Sequence, residues 1–183
     1  MHIRLEPFTS ADIDTLLSWI PSAAFLLQWA GSTYTYPLDA SQVLRYLHTA
    51  QGEQPPNLMF KAVEQEHGRA VGHCELIRID WRNQSARIGR ILVGPQELRG
   101  QGLGEQIVRA LLQVAFDKLH LHRVDLGVFD FNRPAIACYE KVGFQMEGTF
   151  RESHRHENEY WNLCTMSMLE HEWYERREKT YAD

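Results

Sequence analysis

One junction in the middle of the chain has the composition of an anion-binding loop. Three glycines, Gly100, Gly102 and Gly104, alternate there with other residues, and Arg99 stands directly before them. An apolar, strand-like run (residues 86–93) precedes the junction, and an amphipathic, helix-like run follows it. Glycine lets the backbone approach a bulky anion, and the start of a helix presents unpaired N–H groups and partial positive charge. The sequence therefore predicts a phosphate site here, and the arrangement suits a pyrophosphate.

The spacing of these glycines excludes two common nucleotide-binding loops. A dinucleotide fingerprint, G-x-G-x-x-G, would need a glycine where Glu105 stands, and a Walker loop would need a Gly-Lys pair, which the sequence lacks. Arg99, Gly102 and Gly104 fit the pattern R/Q-x-x-G-x-G/A instead. In this pattern the chain resembles the GNAT N-acetyltransferases, whose loop of this type binds the pyrophosphate of acetyl-CoA.

A second block carries the same resemblance. Residues 132–144 follow a strand-like run and match the family pattern N-x-x-A-x-x-x-Y-x-x-x-G-F at every fixed position. The segment around Glu6 and Asp12, and the closing strand pair at 144–169, are similar to the branch that includes the ribosomal-protein alanine N-acetyltransferases.

The resemblance implies a mixed α/β (α+β) GNAT fold, in which helices flank a mixed central sheet with a splayed strand pair. We expect residues 1–183 to form a single domain. The implied enzyme is an acetyl-CoA-dependent acyltransferase that moves an acetyl group to a primary amine by direct transfer in a ternary complex. Acetyl-CoA is the acyl donor, and no metal is implied. The acceptor is left open between small-molecule amines and protein N-terminal amines, because the branch uses both.

Two rival functions belong to other classes. One is a module that binds acetyl-CoA without turnover. The other is a nucleotide-binding domain, which the glycine spacing disfavours.

The resemblance assigns acetyl-CoA to two backbone segments. N–H groups of the loop are expected to hold the pyrophosphate. The splayed strand before it is expected to pair with the pantetheine arm and to polarise the thioester carbonyl, as an oxyanion donor does. The residues concerned are Ile91, Leu92 and Val93 on the strand and Arg99, Gly100, Gln101, Gly102, Leu103 and Gly104 in the loop. The structural alternatives are a plain core strand and a glycine-rich turn.

Tyr139 is the candidate general acid. Its phenol, with an ordinary pKa of about 10, can donate a proton to the departing coenzyme A thiolate. The alternative is a core tyrosine with a satisfied hydroxyl. Asn132 lies seven residues earlier and could share a helix face with it. Asn132 is predicted either to bind acetyl-CoA or to cap the helix.

The general base is less well specified. An amine is mostly protonated near neutral pH, so transfer needs a proton acceptor. Glu75, on the strand expected beside the splayed one, could accept the proton directly or through water. Its neighbours alternate between apolar and polar, which leaves a solvent-facing position open. Glu105 in the first helical turn complements the helix dipole instead.

Other candidate residues favour structural roles. The two H-x-H pairs, at 120–122 and 154–156, have no third ligand spaced near them, so no metal site is predicted. Several aromatic residues of the amino-terminal helical region either pack in the core or line the acceptor pocket: Trp19, Trp29, Tyr34 and Tyr36.

Composition limits the partners and the location. The chain has 183 residues, 44% apolar residues and a net charge of −5, which disfavours nucleic acid. No apolar run reaches the roughly 20 residues of a membrane span, so no membrane partner is predicted. The three cysteines lack C-x-x-C spacing and the amino terminus lacks a signal-peptide core, which predicts a cytoplasmic protein. A homodimer is left open.

Hydrophobic periodicity predicts the elements that must position these residues. Strands are expected at 3–5, 58–63, 70–79, 86–93 and 123–129, with a closing pair after residue 144. Helices are expected after a capping box formed by Thr9 and Asp12, at 42–49, at 103–118, just after Asn132, and at 168–179.

Overall fold

A computed structural model describes the backbone of residues 1–182 and the side chains of residues 1–178. The strands are β1 (Ile3–Pro7), β2 (Leu58–Glu64), β3 (Ala70–Asp80), β4 (Ser85–Val93), β5 (Arg123–Phe129), β6 (Gln145–His156) and β7 (Glu159–Leu169). The helices are α1 (Ile13–Ser18), α2 (Ala23–Ala30), α3 (Ala40–Leu47), α4 (Leu103–Leu112), α5 (Arg133–Val142) and α6 (Glu170–Ala182). The expectation of a mixed α/β fold is confirmed.

The seven strands form one mixed sheet in the order β1-β2-β3-β4-β5-β7-β6. β4 and β5 are parallel, and the other neighbouring strands are antiparallel. The pairing of β4 with β5 covers residues 85–88 and 123–126; beyond it, no further pair joins these two strands in the described chain. The predicted splayed strand pair is therefore confirmed, and it opens a gap in the middle of the sheet.

A bulge in β4 lies at the point where the two strands separate. Leu92 pairs with His73 of β3 and Gly89 pairs with Glu75, so two residues of β4 oppose a single residue of β3. One of the two, Arg90, has a left-handed backbone with a φ of 51°. Residues with a side chain rarely adopt this conformation. Because a bulge bends its strand, it accounts for the departure of β4 from β5.

Helices cover both faces of the sheet. On one face α4 buries Ile107 and Leu111 completely in the main core. Its apolar stripe was predicted over 103–118, and the helix does continue past Leu112, as a π-helical turn over Gln113–Lys118. On the other face α1 and α3 bury Leu16 and Val43 in a second core cluster.

Local hydrogen bonds set the ends of several elements. The predicted capping box is present, since the N–H and the hydroxyl of Thr9 both lie 2.8 Å from the Asp12 carboxylate. Helix α2, which was not predicted as a separate element, begins where the Ser22 hydroxyl accepts from the Phe25 N–H at 3.2 Å. The terminal helix begins two residues later than predicted, because β7 stays paired with β5 through Leu169.

Candidate active site

The gap between the diverging ends of β4 and β5 opens into a cleft of about 550 Å³, called here the first cleft. The predicted site residues that line it are Ile91, Leu92, Val93, Arg99, Gly100, Gly102, Gly104, Asn132 and Tyr139. Gln101, Leu103 and Glu75 do not line it. In the glycine loop, Gln101 and Leu103 thus contribute no surface to the first cleft, while the other predicted loop residues line it.

The glycine loop leaves its backbone accessible at the amino end of α4. Gly100 and Gly102 have left-handed backbones, with φ values of 75° and 81°. A Cβ atom added at either of them, or at Gly104, would meet no atom within 4 Å. Gly102 is the N-cap residue and no side chain caps the helix, so the N–H groups of the first turn have no intrahelical acceptor. This open, donor-rich surface fits a pyrophosphate.

Arg99 ties the loop to the end of β4. Its Nε donates to the Val93 carbonyl at 3.0 Å and its Nη2 to the Gly94 carbonyl at 3.1 Å. Its own backbone N–H donates to the Gln96 carbonyl at 3.2 Å. The N–H groups that are free to hold an anion therefore begin at Gly100, one residue later than predicted.

The end of β4 presents alternate backbone groups to the gap. The Gly94 N–H donates to the Val71 carbonyl of β3 at 3.0 Å, and Leu92 pairs with β3 as well. Because the backbone groups of successive strand residues point to opposite edges, those of Ile91 and Val93 point toward the gap. These two residues, rather than Leu92, carry the strand edge that faces the gap, and on that edge the Val93 carbonyl accepts from Arg99.

Tyr139 combines a buried ring with an unpaired hydroxyl at the first cleft. The residue is 9% exposed, and its ring contacts Phe144 edge-on at 5.9 Å between centroids. Its hydroxyl makes no hydrogen bond to any residue in the described part of the chain. Burial, assisted by the neighbouring Cys138, raises the pKa of the Tyr139 phenol well above its ordinary value. The phenol is therefore protonated at physiological pH and can serve as a proton donor.

Asn132 caps helix α5. Its side-chain oxygen accepts from the Ala135 N–H at 3.4 Å, as one of its two predicted roles requires. Because Asn132 also lines the first cleft, contact with acetyl-CoA stays a prediction.

Glu75 lies at the centre of a buried polar network beside the bulge. Its side chain is fully buried, so the solvent-facing alternative is wrong. One carboxylate oxygen lies 2.8 Å from His73 Nε2, and the other accepts from Arg90 Nη1. Arg90 also donates to the Tyr46 hydroxyl at 2.8 Å and to the Thr33 hydroxyl at 2.8 Å. Although burial alone lowers the pKa of Arg90, the neighbouring Glu75 raises it above its ordinary value, so the guanidinium is charged.

A second cleft of about 370 Å³ borders the first. The two clefts share residues where β4 and β5 separate, among them Gly89, Arg90, Gly127 and Phe129. Arg90, which the sequence analysis did not single out, thus joins the buried network to both clefts. Glu75 lines neither of them.

The four aromatic residues of the amino-terminal region have different positions. Trp29 lines both clefts. Tyr34 is buried and Tyr36 is 48% exposed. Trp19 packs so closely on Gly94 that a Cβ there would lie 2.1 Å from the indole ring. Of these four residues, Trp29 is the one that lines the two clefts, and the placement of an aromatic in an acceptor pocket stays a prediction.

Residues 2–145 match the family model described as the acetyltransferase (GNAT) domain. The chain belongs to the GNAT acetyltransferase family. The predicted family and fold are confirmed, and the protein is an acetyl-CoA-dependent acyltransferase that transfers acetyl groups to amines. Membership excludes the nucleotide-binding rival, and nothing in the comparisons supports a non-catalytic module.

Similar proteins include two acetyltransferases and a solved structure. The aminoglycoside N(6')-acetyltransferase type 1 of Klebsiella pneumoniae is 26% identical over 154 residues, which cover 80% of this chain and 76% of that protein. The spermidine N(1)-acetyltransferase of Escherichia coli (strain K12) is 24% identical over 172 residues, which cover 93% of this chain and 88% of that protein. The structure of Vibrio cholerae spermidine N-acetyltransferase in complex with CoA and spermine has a TM-score of 0.82 at 19% identity. The match covers 94% of this chain and 98% of that one.

Three further observations concern metals, membranes and cysteines. Within the described residues, no three or more His, Cys, Asp or Glu side chains are grouped so that they could hold a metal ion. No helix in that part of the chain is long and apolar enough to cross a membrane. All three cysteines are unpaired.

Proposed function

We propose that the acceptor amine enters the second cleft while acetyl-CoA occupies the first, and that the acetyl group passes directly between them in a ternary complex. The observation that carries this proposal is the meeting of the two clefts at Gly89–Arg90 and Gly127–Phe129. Because the two clefts share these residues, an amine in the second cleft is adjacent to a thioester in the first. Holding both reactants in one place removes most of the entropic cost of their encounter.

The chain's own residues supply three of the functions that acyl transfer needs. The N–H groups from Gly100 to Gly104 bind the pyrophosphate. The edge of β4 that faces the gap, at Ile91 and Val93, binds the pantetheine arm, and a backbone N–H on it polarises the thioester carbonyl. As the amine nitrogen bonds to the carbonyl carbon and the C–S bond breaks, Tyr139 gives its proton to the sulfur. Tyr139 is thus the proposed catalytic acid.

The proton lost by the amine could reach Glu75 directly or through water, and we keep only the second route. Direct transfer to Glu75 has no support in the geometry, because its carboxylate is fully buried, bonded to Arg90 and absent from both clefts. Transfer through water remains our proposal, since Arg90 separates the carboxylate from the clefts by a single side chain. Glu75 would then accept the proton as a remote base.

The acceptor is proposed to be a small-molecule amine or a protein N-terminal amine. The relatives named for aminoglycosides and spermidine support the first class. A single domain over residues 1–183 is supported by β7, which lies between β5 and β6 in the sheet. A homodimer and a cytoplasmic location stay predictions.

A panel of primary amines, assayed for release of free thiol from acetyl-CoA, tests the proposal. We expect thiol release with at least one amine, and calorimetry should show binding of coenzyme A but not of ATP or NAD. Binding of coenzyme A without thiol release for any amine would favour the non-catalytic module. Failure to bind coenzyme A would overturn the assignment of the first cleft.

A further inference from the structure

The second cleft is lined by cationic and neutral polar groups. Among the residues whose side chains are described, no aspartate or glutamate contributes to its lining. The cationic or basic lining residues are Arg78, Arg87, Arg90 and His154. The neutral polar ones are Gln28, Ser32, Thr33, Tyr46 and Asn57. An acceptor in this cleft therefore meets basic side chains and no carboxylate.

Two of these arginines occupy unusual backbone positions. Arg78 and Arg90 have left-handed backbones, with φ values of 52° and 51°. Each lies at an irregularity in the pairing of β3 with β4. Both irregularities border the second cleft, which is lined by Ile77 and Arg78 at one of them and by Gly89 and Arg90 at the other. Backbone conformations of this kind occur often at functional sites, and both of these arginines line one cleft.

The charges of the arginines are not equally compensated. Arg87 Nε lies 2.5 Å from an Asp125 carboxylate oxygen, and Arg90 is paired with Glu75. Arg78 is an exposed residue of the second cleft, and its guanidinium has no hydrogen-bond or ion-pair partner among the residues described. The cleft thus holds one positive charge that no described carboxylate balances.

We propose that the acceptor amine carries an anionic group, a carboxylate or a phosphate, that binds Arg78. This inference rests on the proposed function, because it concerns the cleft assigned there to the acceptor. A guanidinium binds carboxylate and phosphate through paired, charge-assisted hydrogen bonds. A second ammonium on the acceptor would instead be repelled by Arg78. The acceptor therefore differs in charge from a polyamine.

The spacing along the sheet favours a small acceptor. Arg87 pairs directly with Ile77, the neighbour of Arg78, and Gly89 lies two residues farther along β4. At a rise of about 3.4 Å per residue, the backbone beside Arg78 and the point where the two clefts meet are roughly 7 Å apart along the strand. We therefore expect a short linker between the anion and the amine.

Four unbranched acceptors of similar length test the proposal: butylamine, diaminobutane, aminobutanoate and aminopropyl phosphate, each with its amine at one end of the chain. At the other end, about four to five bonds from the amine nitrogen, they present a neutral, a cationic, a carboxylate and a phosphate group. We expect kcat/KM for one of the two anionic acceptors to exceed that for butylamine by about tenfold or more, with diaminobutane the poorest. The ranking of the two anionic acceptors identifies the group. Diaminobutane as the best acceptor, or equal values for all four, would overturn the proposal.

Two variants assign the preference to Arg78. Arg78→Gln should raise KM for the anionic acceptor about tenfold and leave that for butylamine unchanged. Arg82→Gln removes the same charge from an exposed residue of the β3–β4 turn that lines neither cleft, and should leave both values unchanged. An anion preference that survives in Arg78→Gln would contradict the assignment.

Calorimetry can also measure the affinities of the four acceptors for protein saturated with coenzyme A. This ranks the acceptors by binding alone, because coenzyme A carries no acetyl group to transfer. If thiol release is absent for every amine, the proposed function fails, yet the binding order still decides the preference. Tightest binding of an anionic acceptor supports the inference, and any other order opposes it.

Discussion

Glu75 and Arg90 form a buried ion pair across the bulge that bends β4 away from β5. The side chain of Glu75 is 0% exposed and that of Arg90 is 6% exposed. The pair joins β3 to the one segment of β4 that borders both clefts. Removing one partner of such a pair leaves an uncompensated buried charge, at a cost of about 3–5 kcal/mol. The position of the bulge, and with it the mouth of both clefts, therefore depends on this pair.

Gly104→Val tests the pyrophosphate loop. Gly104 has open space around it and an ordinary helical backbone, so the added side chain should leave the fold intact and obstruct only a bound anion. We expect coenzyme A affinity to fall about 10- to 100-fold, the equivalent of one lost charged hydrogen bond or more. Calorimetry measures the affinity, and thermal unfolding verifies the fold.

Gly148→Val is the matched control for this loop variant. Gly148 also has open space around it, has no left-handed backbone and lies on β6, away from the first cleft. It should bind coenzyme A normally. Wild-type affinity in a folded Gly104→Val protein would contradict the loop assignment. Gly102→Val is a less clear test, because its left-handed backbone adds strain.

Tyr139→Phe tests the proposed acid. The change keeps the buried ring and removes only the hydroxyl, which has no partner among the described residues. We expect kcat to fall about 10- to 1000-fold, within the range of general acid–base groups, while coenzyme A affinity stays nearly constant. Tyr160→Phe removes a hydroxyl from a residue that is 57% exposed and should have no effect. An unchanged kcat in Tyr139→Phe would show that Tyr139 is not the acid and has only a structural role.

Glu147→Gln tests an ion pair that holds three neighbouring strands together. The Glu147 carboxylate accepts from Arg123 of β5 at 2.8 and 2.7 Å and from Ser167 of β7 at 2.8 Å. Because of the Arg123 and Ser167 hydrogen bonds, the pKa of Glu147 is lowered from 4.5 to about 2. A lowered pKa stabilises the fold above the ordinary value, and this stabilisation is lost as the pH falls from 4.5 toward 2.

Near neutral pH, Glu147→Gln should lower the free energy of unfolding by about 1 kcal/mol, a small value because the side chain is partly exposed. The difference from wild type should shrink as the pH falls below 4.5. Urea unfolding at several pH values measures it. Glu175→Gln, an exposed residue of α6, should match wild type throughout. A difference that grew on acidification would refute the pairing.

Sequence periodicity predicted the regular parts of the fold and missed the irregular ones. β5 has the predicted bounds, because alternating burial and turn residues define a regular strand. Glu75 could not be placed from the pattern, since its surroundings depend on a bulge that shifts the register of β4. The left-handed backbones of Arg78 and Arg90 are also unreadable from sequence, because the pattern carries no signal for a positive φ at an arginine. The second cleft was therefore the least predictable part of the candidate site.

The position of the loop was predictable and the participation of each residue was not. Glycine spacing and Arg99 carry a family pattern, so the site could be located from the sequence. Which N–H groups are free depends on local turns, such as the bond from the Arg99 N–H to Gln96. The same applies to Asn132, because its capping bond to the Ala135 N–H depends on the side-chain rotamer and on the residue at which α5 begins.

Glu75→Gln separates a remote base from a residue that only positions Arg90. The change removes the negative charge with little change in size, so Arg90 stays buried without a counter-charge and the free energy of unfolding should fall by about 3–5 kcal/mol. Activity is therefore compared at a temperature where circular dichroism shows both proteins folded.

If Glu75 accepts the amine proton through water, kcat/KM of the variant should fall near neutral pH. This loss should shrink as the pH rises toward the pKa of the amine, because an already deprotonated amine needs no base. If Glu75 only holds the bulge, the loss should be the same at every pH and coenzyme A affinity should fall with it. A rate profile that overlays wild type from acid to alkaline pH would remove Glu75 from both roles.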